Sequence, residues 1–319
     1  MKIKKQQLNK ELQSSFVPTM IIAWLGSKVW GIRLMQFLIG FRKGKSIPEL
    51  HNAECTIPSR NGGPDIRLRI YRPLNAEGNL PVMLYVHGGG YVFGCPEIFG
   101  DYIKRFIDTR PCILVCPDYR KALEAPFPAG FDDCYDTLLW IKDNARALGA
   151  KVDKLIIAGH SAGGGMTAAL TWKARDTGDI NVGFQMPIYP MIDDSHTTQS
   201  AQDMIAPLWG SPNNKLAWSL YLKGYNHDAS RPHYATPAKN TDYRGFPPTI
   251  TFVGDLEPFR DETIAYVEAL RKDGVTVEFE LFEGCYHGFD LMETTVSKQA
   301  RDFTFNRFAE YYDRYIDTN

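Results

Sequence analysis

Residues 155–163 have the sequence LIIAGHSAG, in which a buried strand runs into a sharp, glycine-flanked turn. The apolar run at residues 155–158 predicts a core strand, and residues 162–175 predict a helix. Ser161 then lies on the strand-to-helix turn, where its flanking glycines let strand and helix approach closely. A serine on such a turn has a strained backbone and an exposed hydroxyl, so the pattern predicts a nucleophile. The alternative is a glycine-rich turn with an incidental serine.

A second motif, HGGG at residues 87–90, follows the apolar run at residues 82–86, which predicts another core strand. Consecutive glycines leave backbone N–H groups uncovered, and rigid donors stabilise negative charge that develops on an attacked carbonyl oxygen. We expect Gly89 and Gly90, together with the N–H of Ala162, to form an oxyanion hole. A phosphate-binding loop is the alternative. The run lacks the lysine and hydroxyl of a P-loop and the GxGxxG spacing, which disfavours that alternative.

A serine hydroxyl needs a base that removes its proton, and histidine commonly takes this role. His87 and His160 belong to the two motifs, His51 precedes the core, and three other histidines lie in a polar, turn-rich stretch. His287 remains, and it follows a strand-like alternating run at residues 277–282. Open α/β sheets place their sites at the carboxyl ends of the strands. His287 is therefore the predicted base, and His87 is expected to orient the HGGG loop.

The acidic partner of the histidine is expected after the strand candidate at residues 250–253. Asp255 and Glu257 directly follow this run, whereas two later acids are expected in the first turn of a helix, where negative charge suits the helix dipole. Residue chemistry alone does not choose between Asp255 and Glu257. Asp193 and Asp194, which follow another apolar run, are a third alternative.

The order of these motifs resembles the hormone-sensitive-lipase-like branch of the α/β-hydrolases, which includes many bacterial carboxylesterases. The resemblance spans roughly residues 65–315. It is carried by short stretches in a shared order: HGGGY at 87–91, DYR at 118–120, PFPA at 126–129, GHSAGG at 159–164, DD at 193–194 leading to Trp209, GFPPT at 245–249 and HGF at 287–289.

The resemblance implies which acid is used. In the family the acid is an aspartate just before a Pro-Leu-Arg-Asp-Glu-like run, and PFRDE at residues 258–262 aligns with that run without a gap. This favours Glu257 over Asp255 as the acid. Where the family often has Gly-Glu-Leu-Asp, this chain has GDLE at residues 254–257, so the two acids are exchanged. Glutamate is an accepted acid in such triads.

The resemblance further implies a carboxylic ester hydrolase that acts on short to medium acyl esters through a serine acyl-enzyme, with no metal and no organic cofactor. An amidase or peptidase on the same scaffold is one alternative. Another is a non-catalytic small-molecule receptor, as in plant hormone receptors that resemble the family but lack the catalytic histidine. Retention of both Ser161 and His287 argues against the receptor.

Strand and helix candidates alternate along the rest of the chain. They predict an α/β-hydrolase fold, with a mostly parallel central sheet flanked by helices and an early antiparallel portion where short connections join residues 66–71 to residues 82–86. The other strand candidates are residues 113–116, 155–158, 184–188, 250–253 and 277–282, and the helix candidates are residues 131–148, 162–175, 263–272 and 295–315.

Two regions fall outside this sheet, and the resemblance implies that they pack together as a helical cap. They are an N-terminal segment at residues 1–45 and an insertion at about residues 195–243 of a catalytic domain that spans residues 46–319. An interfacial membrane helix is the alternative for the first. A membrane span or a signal peptide is a further alternative, but Lys28 and Arg33 interrupt the segment, and it starts too late behind polar residues to match a secretory leader.

Composition bounds the partners and the compartment. The 319 residues carry a net charge of −1 with basic residues scattered, which predicts no binding of nucleic acid and no strong attraction to anionic membranes, and we expect no stable membrane insertion. Six cysteines without a metal-ligand or disulfide-scaffold pattern are typical of reduced thiols, which indicates a cytoplasmic protein. A small-molecule ester is the expected partner. An uncovered sheet edge near the C-terminus could pair two subunits as a homodimer.

Overall fold

A computed structural model describes residues 1–225 and 233–317 and contains one eight-stranded sheet. The strands run in the spatial order β1-β2-β4-β3-β5-β6-β7-β8. Their bounds are β1 Leu50–Ile57, β2 Ile66–Pro73, β3 Leu80–Val86, β4 Ile113–Pro117, β5 Ala150–His160, β6 Val182–Ile188, β7 Thr249–Gly254 and β8 Val277–Phe282.

Helices cover the sheet and extend in front of it. Their bounds are α1 Phe16–Gly26, α2 Val29–Gly40, α3 Gly100–Thr109, α4 Ala129–Asp143, α5 Ala145–Leu148, α6 Ala162–Thr177, α7 Ser211–Tyr221, α8 Arg260–Lys272 and α9 Thr295–Tyr311. The predicted helix at residues 131–148 is thus divided between α4 and α5 at Asn144. Helix α8 begins at Arg260, so Asp261 and Glu262 lie in its first turn as expected.

The sheet is parallel from β4 to β8, and β2 runs antiparallel to both of its neighbours. The early antiparallel portion is therefore confirmed, but β2 does not lie beside β3, because β4 is inserted between them. Strand β1 was not predicted. Only its two end residues are buried, so its sequence lacks the apolar alternation that marks the other strands.

Strand β3 shows how the core is divided. Met83 and Tyr85 belong to one buried cluster, whereas Val82, Leu84 and Val86 belong to another. Alternate residues of a strand point to opposite faces, so the two clusters fill the two faces of the sheet. The strand is buried along its whole length, which fits its near-continuous apolar sequence.

The N-terminal segment packs against residues that follow β6. Ile3 N donates to Ile205 O at 2.9 Å, Leu208 N donates to Thr19 O at 3.0 Å, and Asn213 Nδ2 of α7 donates to Ala23 O of α1 at 2.7 Å. The predicted insertion at residues 195–243 includes residues 226–232, which lie outside the described residues. Contacts between the two predicted cap regions are present in the part that is described.

Candidate active site

Four loops converge at the carboxyl-terminal edge of the sheet. Strands β3, β5, β7 and β8 are parallel, so their carboxyl ends share this edge. The HGGG motif follows β3, Ser161 follows β5, Glu257 follows β7, and His287 follows β8. The sheet topology therefore gathers residues that are widely separated in sequence.

Ser161 occupies the sharp turn between β5 and α6. Its φ of 59° and ψ of −119° place it in a strained conformation that few non-glycine residues adopt. The turn is possible only with glycine at its flanks. A Cβ on Gly163 would lie 2.1 Å from the carbonyl oxygen of Val86, and one on Gly159 would lie 2.5 Å from the carbonyl oxygen of Gly163. The hydroxyl is thereby presented at the edge of the sheet.

His287 links the serine to an acid. Its Nε2 lies 2.8 Å from Ser161 Oγ, and its Nδ1 lies 2.5 Å from Glu257 Oε2. The rings of Tyr189 and Phe259 meet the imidazole edge to face at centroid distances of 4.7 and 4.9 Å. These contacts fix the plane of the imidazole so that its two nitrogens reach the two partners.

The structure brings Glu257, and not Asp255, to the imidazole. Glu257 is fully buried, and its second oxygen accepts the N–H of Gly254 at 2.9 Å. Asp255 instead accepts the N–H of Cys285 at 3.2 Å, and burial raises the pKa of this carboxyl. A carboxylate held on one side by a backbone donor presents its other oxygen in a fixed direction, which suits the orientation of an imidazole.

The remaining acids considered from the sequence bind elsewhere. Asp193 accepts the N–H and the hydroxyl of Ser195, and Asp194 forms an ion pair with Lys239 at 3.4 Å. Neither contacts His287.

The HGGG loop lies directly in front of the serine. Gly89 and Gly90 line the same cavity as Ser161. Within the described residues, the N–H groups of Gly89, Gly90 and Ala162 donate no hydrogen bond to another protein group. Three free backbone donors around one hydroxyl form an arrangement that can stabilise an oxyanion.

His87 supports this loop from behind. Its ring stacks on Tyr119 at a centroid distance of 4.3 Å, and its Nδ1 lies 2.7 Å from the carbonyl oxygen of Gly88. The pKa of His87 is lowered to about 3, mainly by burial and secondly by the positive charge of Lys121. The side chain is therefore a neutral hydrogen-bond donor that orients the loop, as expected from the sequence.

A buried polar cluster behind the serine was missed by sequence reasoning. Asp290 is fully buried and accepts the hydroxyls of Tyr102 at 2.5 Å and Tyr189 at 3.2 Å, and its Oδ2 lies 4.0 Å from His160 Nε2. Burial raises the pKa of Asp290 and lowers the pKa of His160 to about 3. Only the spacing of Asp290, three residues after His287, could have indicated its place.

A cavity of about 350 Å³ leads to Ser161. Its walls are mostly apolar and come from both sides of the molecule. The lining includes Ile22, Met35, Leu38 and Ile39 from α1 and α2, Leu208 and Trp209 from the segment before α7, Phe93 and Phe99 from the region after β3, and Ser161 and His287 at its base. The space suits a small ligand with an apolar part. No group of three or more metal-ligating side chains occurs among residues 1–225 and 233–317.

Comparison with known proteins assigns the class. A family model described as alpha/beta hydrolase fold matches residues 83–291. Carboxylesterase NlhH of Mycobacterium tuberculosis is 32% identical over 246 residues, which cover 76% of each chain. The structure of a bacterial heroin esterase superposes with a TM-score of 0.83 at 30% identity and covers 93% of this chain and 98% of the other. The gibberellin receptor GID1A of Arabidopsis thaliana is 25% identical over 248 residues, which cover 70% of this chain and 71% of the receptor.

The chain belongs to the α/β-hydrolase family. Within this family it is a serine hydrolase of the carboxylesterase type, in the hormone-sensitive-lipase-like branch.

Proposed function

We propose that this protein hydrolyses carboxylic esters through an acyl-enzyme on Ser161. The main support for this proposal is the position of His287, which lies within hydrogen-bond distance of both Ser161 Oγ and Glu257 Oε2. In this proposal Ser161 is the nucleophile, His287 the general base and Glu257 the acid that orients and charge-balances the imidazole.

The first half-reaction transfers the acyl group to the enzyme. His287 Nε2 takes the hydroxyl proton as Ser161 Oγ bonds to the ester carbonyl carbon. The N–H groups of Gly89, Gly90 and Ala162 stabilise the negative charge on the carbonyl oxygen. His287 then returns the proton to the leaving alcohol as the carbon–oxygen bond breaks. Water repeats the sequence in reverse and releases the acid, so protein groups and water account for every step.

We propose short to medium acyl esters as substrates and a helical cap, formed by residues 1–45 and about 195–243, as the wall that binds them. The apolar lining supplied by α1 and α2 supports this assignment, as do the hydrogen bonds from Leu208 to Thr19 and from Asn213 to Ala23. A cap over the reacting carbonyl also restricts water.

We also propose a cytoplasmic location and a homodimer. All six cysteines are free, which is typical of a reducing compartment. Strand β8 pairs only with β7, so within the described part of the chain its outer edge is available for a second subunit.

A fluorophosphonate probe tests the proposal directly. Ser161 Oγ should bond to phosphorus and displace fluoride, and intact-mass and peptide analysis should locate a single adduct at Ser161. The Ser161→Ala variant should not be labelled, and its turnover of p-nitrophenyl acetate should fall on the order of a millionfold. A folded protein that hydrolyses esters but is labelled elsewhere, or a protein that is not labelled at all, would refute this mechanism. Faster turnover of a matched p-nitroanilide than of the ester would favour an amidase.

A further inference from the structure

Helices α1 and α2 present a continuous apolar face to solvent. Trp24, Trp30, Phe37 and Phe41 expose between 54% and 67% of their surface. Further residues of the same face are exposed: Val17, Ile21, Ile22, Leu34 and Leu38. Soluble proteins seldom expose so many large apolar side chains together, and such a patch marks an interaction surface.

The face is one ordered surface rather than a scatter of side chains. On α2 the exposed residues Trp30, Leu34, Phe37 and Leu38 follow the helical repeat, and Phe41, the residue that caps the helix, continues the same stripe. Trp24 of α1 contacts Trp30 edge to face at a centroid distance of 5.7 Å, and Phe37 contacts Phe41 in the same way at 5.2 Å. The two helices therefore share one aromatic-rich patch.

The segment that carries this patch has a one-sided charge. Residues 1–45 contain nine Lys and Arg and a single acid, Glu11, whereas the rest of the chain contains 27 basic and 36 acidic residues. The nearly neutral total hides this separation, so the expectation of scattered basic residues was wrong for this segment. All nine basic residues are exposed, and among the described residues only Lys43 forms an ion pair, with Asp118.

The patch adjoins the mouth of the active-site cavity. Ile22 and Leu38 are partly exposed on the patch and also line the cavity that leads to Ser161. An apolar path thus runs from the outer surface of α1 and α2 to the proposed nucleophile. A ligand held at the patch could enter the cavity without crossing bulk water.

No single helix among the described residues meets the length and hydropathy of a membrane span, and the pair Lys10–Gly26 and Val29–Gly40 meets it only together, with a bend of 113°. We propose that the α1–α2 face docks reversibly on an anionic lipid surface and takes esters from that surface. Exposed Trp and Phe suit the interface between acyl chains and headgroups, and the exposed basic residues of the same segment suit anionic headgroups. The choice of esters rests on the proposed function, whereas the docking does not.

Vesicle co-sedimentation with the full chain tests the docking. We expect binding to phosphatidylcholine vesicles that contain about one-third phosphatidylserine, much weaker binding to pure phosphatidylcholine, and a loss of binding as salt is raised. Absence of binding to both vesicles, or equal binding to both, would overturn the proposal.

Apolar variants test the face itself. The double variant Phe37→Gln and Phe41→Gln should lower partitioning onto the anionic vesicles at least about tenfold, because two exposed aromatic rings no longer enter the interface. Leu74→Gln removes an exposed apolar side chain outside this segment and should leave binding unchanged. Both proteins should keep the melting temperature of the wild type and its rate on soluble p-nitrophenyl acetate. Equal binding by wild type and double variant would contradict the assignment.

Charge variants test the choice of lipid. Lys28→Gln and Arg33→Gln should each weaken binding to the anionic vesicles about fivefold and leave binding to pure phosphatidylcholine unchanged. Lys272→Gln, at an exposed lysine on α8, is the matched control and should have no effect. If the control weakens binding equally, non-specific attraction explains the result and the proposal fails.

Two further measurements distinguish lipid docking from catalysis and from self-association. Ser161→Ala should bind the anionic vesicles like the wild type, so loss of docking and loss of catalysis are read independently. Sedimentation velocity without lipid measures whether a second copy of this chain binds to the α1–α2 face. A dimer that Phe37→Gln and Phe41→Gln dissociate would assign the face to that copy and overturn the lipid assignment.

Discussion

Two walls of the cavity differ in how far their side chains are buried. One is the sheet edge that carries Ser161, and the other is the α1–α2 pair that faces it. Ser161, Glu257 and His287 are buried, and each is fixed by hydrogen bonds or ring contacts. Helices α1 and α2 bury few residues and expose large apolar ones. One wall of the cavity is thus suited to hold reacting atoms in fixed positions, and the other to meet apolar ligands of variable shape.

This contrast predicts where substitutions change turnover and where they change substrate choice. Changes at the sheet edge should lower the rate for every ester, because they disturb the reacting groups. Changes on the inner side of α2 should alter the preference among esters.

The proposed acid, Glu257, gives the largest of these effects. Glu257→Gln should lower kcat for p-nitrophenyl acetate on the order of ten-thousandfold, because an amide at this position favours the wrong tautomer of His287. Asp255→Asn, which removes the charge from a carboxyl that contacts only the backbone of its neighbours, should cost less than about tenfold. Steady-state kinetics on both variants decides the point, and the reverse ranking would move the acid to Asp255.

The oxyanion loop gives the next effect. Gly89 has a φ of 123°, and a Cβ there would lie 2.0 Å from the carbonyl oxygen of Phe93, so Gly89→Ala must displace the loop. We expect kcat to fall on the order of a hundredfold, as for removal of one oxyanion donor. Gly78→Ala, at a φ of 73° in open space, controls for the backbone penalty and should keep full activity. Similar kcat values for the two variants would argue against an oxyanion role for Gly89.

The inner side of α2 should act on specificity. Ile39 lines the cavity, whereas Leu34 lies on the exposed side of the same helix. Ile39→Ala should lower kcat/KM for a hexanoate ester relative to an acetate ester about tenfold, because the longer chain loses apolar contacts. Leu34→Ala should leave the ratio unchanged. A chain-length series of p-nitrophenyl esters gives both ratios, and an equal fall for all chain lengths with Ile39→Ala would contradict the assignment.

The last effect is on stability rather than on turnover, and it concerns the buried polar groups of the sheet edge. Burial lowers the pKa of His160 to about 3 in the folded state, below its value of about 6.5 in the unfolded chain. The unfolded state therefore binds the extra proton between these values, and stability falls as pH decreases through this window. Relative to His160→Asn, the wild type should lose about 1.4 kcal/mol of unfolding free energy per pH unit there.

Urea unfolding of both proteins at several pH values measures this difference. His51→Asn, at an exposed position on β1, controls for the loss of a histidine as such. Parallel stability curves for wild type and His160→Asn would show that His160 does not titrate differently on folding.

Strands β3 and β7 and the second half of β5 could be predicted because they are buried on both faces and have near-continuous apolar sequences. Ser161 and the HGGG loop were placed by the local chemistry of a turn, which a short sequence contains. The edge strand β1 was not predicted, since a strand with one pairing partner and little burial carries a weak pattern.

The rest of the site depends on contacts between distant residues. Asp255 and Glu257 both follow β7, and only the packing of the loop after β8 decides which one meets His287. The position of Trp209, whose ring leaves no space for a Cβ on Gly90, likewise follows from packing of a segment that precedes α7. Residue chemistry alone does not specify such pairings, and the choice of Glu257 over Asp255 comes from the alignment of residues 258–262 with the family's run.

Ser161 and His287 are 126 positions apart in the sequence, and this separation has a consequence for synthesis. A ribosome completes the proposed nucleophile long before the proposed base, and strands β7 and β8 must join the sheet before the two side chains meet. Until then the hydroxyl is as unreactive as that of any other serine. A nascent or truncated chain is therefore inert toward the esters around it. Reaction with a fluorophosphonate consequently measures the amount of fully folded enzyme and not the total amount of chain.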